Sequence, residues 1–298
     1  MLKACDTSQN NHVPSKDYPG CSIYMTTKKS VKNLIVCALL LGFTSSLFAA
    51  NPTGLNETEE NSPPTEVIDK KIKINVGAGV LYGPKYEGHK EEDARFFPLV
   101  GIEYGDWSLG IKGLQYQVIK SNKGSLQAGI SYDDGRDASD DLPKSPRGLG
   151  DIDGGVNFNL KVGTKLFDQL SLSMNTSKSL DHHSRYKITL GAASMFPIYK
   201  KRLIGRLDIK STWHDADYNQ LFYGVSPEQS ANTSLTIFKA HSGFHDISSS
   251  ITSILSLTKN LNASLSVVFQ TLQSDAARSP VIDRKESVSI LQTLSYKF

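Results

Sequence analysis

The sequence predicts an all-β protein, an antiparallel transmembrane β-barrel of about 12 strands with short periplasmic turns and long outer loops; ten strands is the alternative count. Three observations predict it. Residues 71–298 alternate apolar and polar side chains almost without a break, the mark of strands with two unlike faces. Tight and long connections between these runs take turns along the chain. The final run, "SVSILQTLSYKF" at Ser287–Phe298, is itself amphipathic and carries an aromatic at its last position.

The first fifty residues stand apart. "KKSVKNLIVCALLLGFTSSLFAA" has a basic start (Lys28, Lys29, Lys32), an apolar stretch from Leu34 to Phe43 and small residues at Ala49–Ala50. That is the layout of a secretory signal peptide, with an apolar run too short to span a bilayer as a helix. Met25 opens a signal of ordinary size, so residues 1–24 read as an N-terminal extension. Cys37 does not make a lipoprotein signal, because Ile35 and Val36 stand where small residues are needed. Residues 51–70, with Glu57, Glu59, Glu60 and Pro63–Pro64, read as a disordered lead-in.

Composition narrows the class further. A mean hydropathy of −0.29 excludes a bundle of membrane helices. Residues 1–50 hold five of the 33 Lys and Arg and two of the 30 Asp and Glu, so the rest of the chain is formally neutral. The apparent basic bias belongs to the leader, and nucleic acid is not an expected partner. All three cysteines, Cys5, Cys21 and Cys37, lie in the leader too. An exported chain without cysteine is not a disulfide scaffold.

The strands follow in order. In "KIKINVGAGVLYG", Ile72, Ile74, Val76, Ala78, Val80 and Tyr82 share one face. In "VNFNLKVGTKL", Val156, Phe158, Leu160 and Val162 oppose Asn157, Asn159, Lys161, Gly163 and Lys165. "LIGRLDIKSTW" sets Leu203, Leu207, Ile209 and Trp213 against Arg206, Asp208 and Lys210, and "LNASLSVVFQT" sets Leu261, Ala263, Leu265, Val267 and Phe269 against Asn262, Ser264, Ser266 and Gln270. Similar runs cover 126–132, 170–176, 186–194 and 247–257, and no long stretch has helical period.

Full charges in mid-strand, as at Arg206, Asp208 and Lys210, suit a wet lumen better than a dry core, and ten-residue strands suit a tilted crossing. The tight turns are "GD" at 105–106, "SNKG" at 121–124, "DQ" at 168–169, "YKKR" at 199–202 and "TKN" at 258–260. The long loops are 83–95, 133–151, 214–236 and 274–286. About eleven runs are visible. Even parity is restored by splitting "WSLGIKGLQYQVI" at Gly110–Gly113, where glycine suits a hairpin. Tyr82, Trp107, Tyr132, Tyr186, Trp213, Tyr296 and Phe298 fall near strand ends, as interfacial girdles do. Outer-membrane lipid and lipopolysaccharide are therefore expected neighbours. The terminal strand, with Tyr296 and Phe298, is similar to the signal that such proteins present to the barrel assembly machinery.

"YGPKYEG" (82–88), "GISYDDGRDASDD" (129–141), "GLGDIDGG" (148–155), "YGVSPEQS" (223–230), "SDAARSPVI" (274–282) and the ending "LSYKF" together resemble the MipA/OmpV family of outer-membrane proteins. They occur in the family's order and cover nearly all of the chain after the leader. The resemblance implies a non-enzymatic barrel of the cell outer membrane. It implies a scaffold or interaction protein in envelope and murein maintenance, with a murein lytic transglycosylase and a murein synthase as candidate partners. The alternative is a narrow pore, or a surface adhesin acting through the long outer loops.

Three residue sets were weighed as sites. Asp133, Asp134, Asp137, Asp140, Asp141, Asp151 and Asp153 form an acidic outer loop; their spacing is not that of an EF-hand, and a solvated loop explains them, so neither a metal nor a cofactor is expected. Asp181 beside His182–His183, and His214 beside Asp215, could activate water on a rim, but no flanking motif supports catalysis. Lys161, Lys165, Arg206, Asp208 and Lys210 would face the lumen, where they could select ions or pair and fill it.

Overall fold

The computed structural model describes residues 71–136, 148–181, 185–200 and 202–298. The leader and lead-in expected over 1–70, and Asp137, Asp140, Asp141, His182 and His183, lie outside the described residues. The fold is a closed antiparallel barrel of twelve strands in sequential order, β12 pairing with β1. The strands are β1 (Lys73–Pro84), β2 (Glu92–Tyr104), β3 (Trp107–Gly110), β4 (Gly113–Lys120), β5 (Gly124–Asp133), β6 (Gly155–Phe167), β7 (Leu170–Ser179), β8 (Tyr186–Tyr199), β9 (Leu203–His214), β10 (Gly243–Ser256), β11 (Leu261–Leu272) and β12 (Glu286–Lys297). Twelve is the larger of the two counts expected, and the split at Gly110–Gly113 is where the extra hairpin lies.

Closure is made by Asn75–Tyr82 of β1 lying against Ile290–Lys297 of β12. The Phe298 amide extends the ladder by donating to the Ile74 carbonyl at 2.8 Å. Strand parity then sorts the side chains. Val76, Tyr82, Val100, Ile130, Phe158, Leu190, Ile209, Ile251, Leu265, Ile290 and Leu294 all point outward and are exposed. So many exposed apolar groups on one continuous face make a lipid-facing belt. Among the described residues no helix is long and apolar enough to cross a membrane.

The inner face is polar along most of the wall. Ser248, Ser250, Thr252, Ser264, Ser266 and Ser295 are buried there, and hydroxyls pair across strands, Thr252 with Ser266 at 2.8 Å and Ser264 with Thr293 at 2.6 Å. The exception is an apolar patch, Leu81, Phe97, Leu99 and Leu291, turned inward from β1, β2 and β12. Alternation alone places these four on the polar face, and the structure gives them a partner: Ile111, from the tip of the β3–β4 hairpin, packs against them.

That hairpin is short. β3 has four residues and pairs with β2 only at Ile102–Tyr104. Among the described residues, Glu92–Gly101 of β2 has β1 as its sheet partner and no other. Pro98 lies in this stretch, as prolines in sheets lie at edges. Gly113 has φ +81°, and a Cβ there would sit 2.1 Å from the Ile130 carbonyl oxygen. Gly110 has no such constraint, its nearest neighbour being the Val100 oxygen at 3.5 Å.

The bounds of all four long loops differ from the sequence reading, 133–151 becoming 134–154 and 274–286 becoming 273–285. The first outer loop is 85–91 rather than 83–95, because Gly83–Pro84 and Glu92–Arg95 continue the β1–β2 ladder. The largest described outer connection is 215–242 rather than 214–236. It carries two short helices, α1 (Ala216–Tyr223) and α2 (Pro227–Asn232), and a third, α3 (Ser274–Arg278), lies between β11 and β12. Helices of five to eight residues are too short for a periodic signal. Each of the first two is started by its cap: Asp215 accepts from the Tyr218 amide, and Ser226 and Gln229 form a capping box.

Two outcomes test this description. Gly113→Ala should lower stability by about 1–3 kcal/mol through the strained φ and the clash, while Gly110→Ala should stay within about 0.5 kcal/mol, read as urea unfolding in detergent micelles. Ile251→Arg, in the middle of the outward belt, should cost about 2–4 kcal/mol in a bilayer, measured as the folded fraction in lipid vesicles.

Candidate functional site: the outer mouth

At the outer end of the barrel the described loop residues pack as a small core of their own. Leu149, Val225 and Val281 are buried together, with Leu235 and Phe238 against them. Tyr223, Leu272 and Ala276 form a second cluster with Phe222, Ala277 and Ile282. Backbone and side-chain bonds knit the loops: Gln229 donates to the Leu149 carbonyl at 2.6 Å, Ser279 to the Tyr223 carbonyl at 2.6 Å, and the amides of Asp283 and Arg284 to the Gly88 carbonyl at 2.9 Å. Gly88 is required here, since a Cβ would meet Ile282 at 2.3 Å and its φ is +82°.

At the centre stands Glu87. One carboxylate oxygen accepts from the Tyr223 hydroxyl at 2.5 Å and lies 3.0 Å from His245 Nε2. The other accepts from the Gln270 amide at 2.5 Å. These partners come from three separate connections or strands, so the carboxylate ties the β1–β2 loop to α1, β10 and β11. Burial opposes ionisation of Glu87, but the His245 charge and the bonds from His245, Tyr223 and Gln270 outweigh it and hold the carboxyl at about 2 instead of 4.5. Burial, and then the Glu87 charge, push the Tyr223 hydroxyl well up, so it stays protonated as a donor.

A stack of rings continues inward from this point. Tyr223 and His245 lie with centroids 5.0 Å apart, His245 and His214 at 4.2 Å, His214 and Tyr218 at 4.0 Å, and Tyr218 and Phe222 at 4.7 Å. His214 and His245 are each only 3% exposed. A third buried histidine, His89, takes the Glu91 amide on Nδ1 at 3.1 Å and turns Nε2 toward Asp283 at 3.8 Å. Nearby, Arg136 donates to the Phe222 and Gly150 carbonyls at 3.4 Å.

The residues singled out by sequence fall as follows. His214 joins the ring stack, while Asp215 turns away from it to bond the amides of Tyr218 and Tyr186, so the two do not form a catalytic pair. Asp181 pairs with Arg185. Asp133 accepts from the Gly135 amide at 3.0 Å, and Asp151 and Asp153 are exposed. Among the described residues no three His, Asp or Glu side chains come together as a metal-holding set. Arg206 grips Asp208 with both ends of its guanidinium, at 2.8 and 2.6 Å, on the inner face of β9. Lys161 and Lys210 share that inward parity, and Lys165 lies exposed at the periplasmic end of β6. Tyr296 and Phe298 meet edge to face at 4.8 Å beside the closing seam.

The sequence reading missed Glu87, Tyr223, Gln270, His245 and His89 as a group. Glu87 and Tyr223 stood in the quoted stretches "YGPKYEG" and "YGVSPEQS", but nothing in either stretch says that the two meet. The shared position of these stretches at the mouth is visible only in three dimensions.

A closed antiparallel barrel with an apolar outer belt, short turns at one end and packed loops at the other is an outer-membrane β-barrel. This chain belongs to the family of the MltA-interacting protein MipA, which matches residues 76–298. It is 20% identical, over 243 residues, to the "Putative outer membrane protein YiaT" of Escherichia coli (strain K12), covering 76% of this chain and 91% of that one. Among solved structures it is similar to a bacterial polysaccharide outer membrane secretin (TM-score 0.45, 8% identity, 77% of this chain and 99% of that one). It is also similar to the outer membrane channel DcaP of Acinetobacter baumannii (TM-score 0.37, 9% identity, 76% and 96%).

The Glu87 centre makes an acid dependence. A carboxyl held below its ordinary value contributes fully above about pH 4.5, and the contribution is lost as pH falls toward about 2. Limited proteolysis of the outer loops should therefore accelerate across that window. Glu87→Gln should speed cleavage at neutral pH, consistent with a loss of about 1.5–3 kcal/mol for a bond to a charged group, and should flatten the acid dependence.

Proposed function

We propose that this barrel is a non-enzymatic scaffold or interaction protein of the cell envelope, whose partners act on murein and are met from the periplasmic side. The reading is supported chiefly by the charge of the periplasmic rim. Lys120, Lys123, Lys165, Lys200, Arg202 and Lys259 are exposed in or beside the short turns, against Glu103, Asp106 and Asp168. Charges clustered on one rim steer an oppositely charged surface toward it. The packing of the described outer loops on one another argues in the same direction, because it suits contacts at the other end of the barrel better than a through pore. The family's own description, MltA-interacting, makes a murein lytic transglycosylase the first partner to test, with a murein synthase the second. The alternative is a narrow pore or an adhesin working through the outer loops.

The test is recovery of envelope proteins on the folded, solubilised full chain, with variants at each end. The periplasmic variant combines Lys120→Glu, Lys123→Glu, Lys200→Glu and Lys259→Glu; the outer variant is Ser226→Ala. Murein enzymes should be recovered by the parent and by Ser226→Ala, and fall at least tenfold with the reversed rim. Recovery of no murein enzyme, together with steady conductance in planar bilayers, would overturn the scaffold reading in favour of a pore.

A further inference from the structure

The lumen holds a group of cations that the scaffold reading does not use. Lys112 stands at the tip of the β3–β4 hairpin, where three restraints fix the backbone. Its own carbonyl accepts from the Gln115 side chain at 3.0 Å. The next residue, Gly113, is held at φ +81° against the Ile130 carbonyl. The preceding residue, Ile111, is packed on the inward apolar patch. Across the lumen, Lys112 feels three other charges, those of Lys161, Lys210 and Arg206, and all three are cations.

Lys161 comes from the inner face of β6, opposite Asn175 of β7. Lys210 comes from β9, and its stem runs over Gly191 of β8 toward β7. A Cβ on Gly191 would sit 3.3 Å from Lys210 Cγ and 3.0 Å from Ser173 Oγ. The carboxylates in electrostatic reach are Asp208 and Asp246. Asp208 is 4% exposed and is gripped at both oxygens by Arg206. Among the described residues neither Lys112 nor Lys161 forms an ion pair. Four cations against two carboxylates, in a space lined by hydroxyls and amides, leave an excess positive charge on lysine side chains that are half-buried. Such an excess is costly unless an anion shares the space.

We propose that the lumen is a binding site for a small oxyanion, phosphate- or carboxylate-bearing, held between Lys112, Lys161 and Lys210 with Ser173 and Asn175 as neutral donors. Arg206 and Asp208 form its floor as a closed pair. Phosphate and carboxylate share the chemistry of this site, and two probes tell them apart.

The experiment is thermal unfolding of the full barrel in neutral detergent, titrated with inorganic phosphate, with citrate, and with chloride at matched ionic strength. The parent should gain stability saturably with at least one oxyanion and not with chloride, and the tighter of the two names the class. Lys112→Gln and Lys161→Gln should each weaken that binding about tenfold or more. Without anion at low salt, both should unfold at or above the parent temperature, because they relieve repulsion; a merely structural lysine would destabilise instead. Lys178→Gln, on the outward face beside Tyr186, should titrate like the parent. Equal responses to phosphate, citrate and chloride, or unaltered oxyanion binding in both lumen variants, would overturn the site.

Discussion

The seam between β1 and β12 is the contact on which the rest depends. In lipid a backbone N–H or C=O has no solvent to bond, so an open sheet edge is not tolerated. Eight paired positions along Asn75–Tyr82 and Ile290–Lys297 remove that edge. Once the cylinder is closed, every strand has an inside and an outside. The outward isoleucines, valines and leucines become a belt for lipid, and the inward serines and charges become a lumen wall. Without the seam neither face would have a definite environment.

Closure also makes two ends, and they are built differently. At the periplasmic end the connections are tight, and their cost is small because each joins neighbouring antiparallel strands. At the outer end the connections are long enough to pack on one another. There Glu87 serves the loops somewhat as the seam serves the strands, joining segments far apart in the chain. Its three partners lie 136, 158 and 183 residues away, so the mouth assembles only after the barrel has brought their strands together. A buried carboxylate with several donors is strongly held when complete and costly when any partner is lost. That is the arrangement expected of segments held together as one unit.

The interior is divided as well. The apolar patch on β1, β2 and β12 receives Ile111, and the next residue, Lys112, is thereby turned toward the charges of β6 and β9. A hairpin too short to complete its part of the wall thus supplies the inside instead. Gly113, which the tight turn requires, lets the tip lie where a longer strand pair would have continued upward.

Alternation by itself determined the fold class and the outward set on β1, β6, β9, β11 and β12, because a period of two is a property of each strand alone; it left the strand count at twelve or ten, and the closed structure decided for twelve. The tight turns at 105–106, 168–169 and 258–260 were legible for the same local reason. What the tertiary structure alone decided was the meeting of Glu87 with Tyr223, His245 and Gln270, the separate duties of His214 and Asp215, and the inward turn of Leu81, Phe97, Leu99 and Leu291. Those depend on which distant strands become neighbours around the cylinder and how the loops above them pack. A pattern that repeats every two residues carries no information about contacts more than a hundred residues apart.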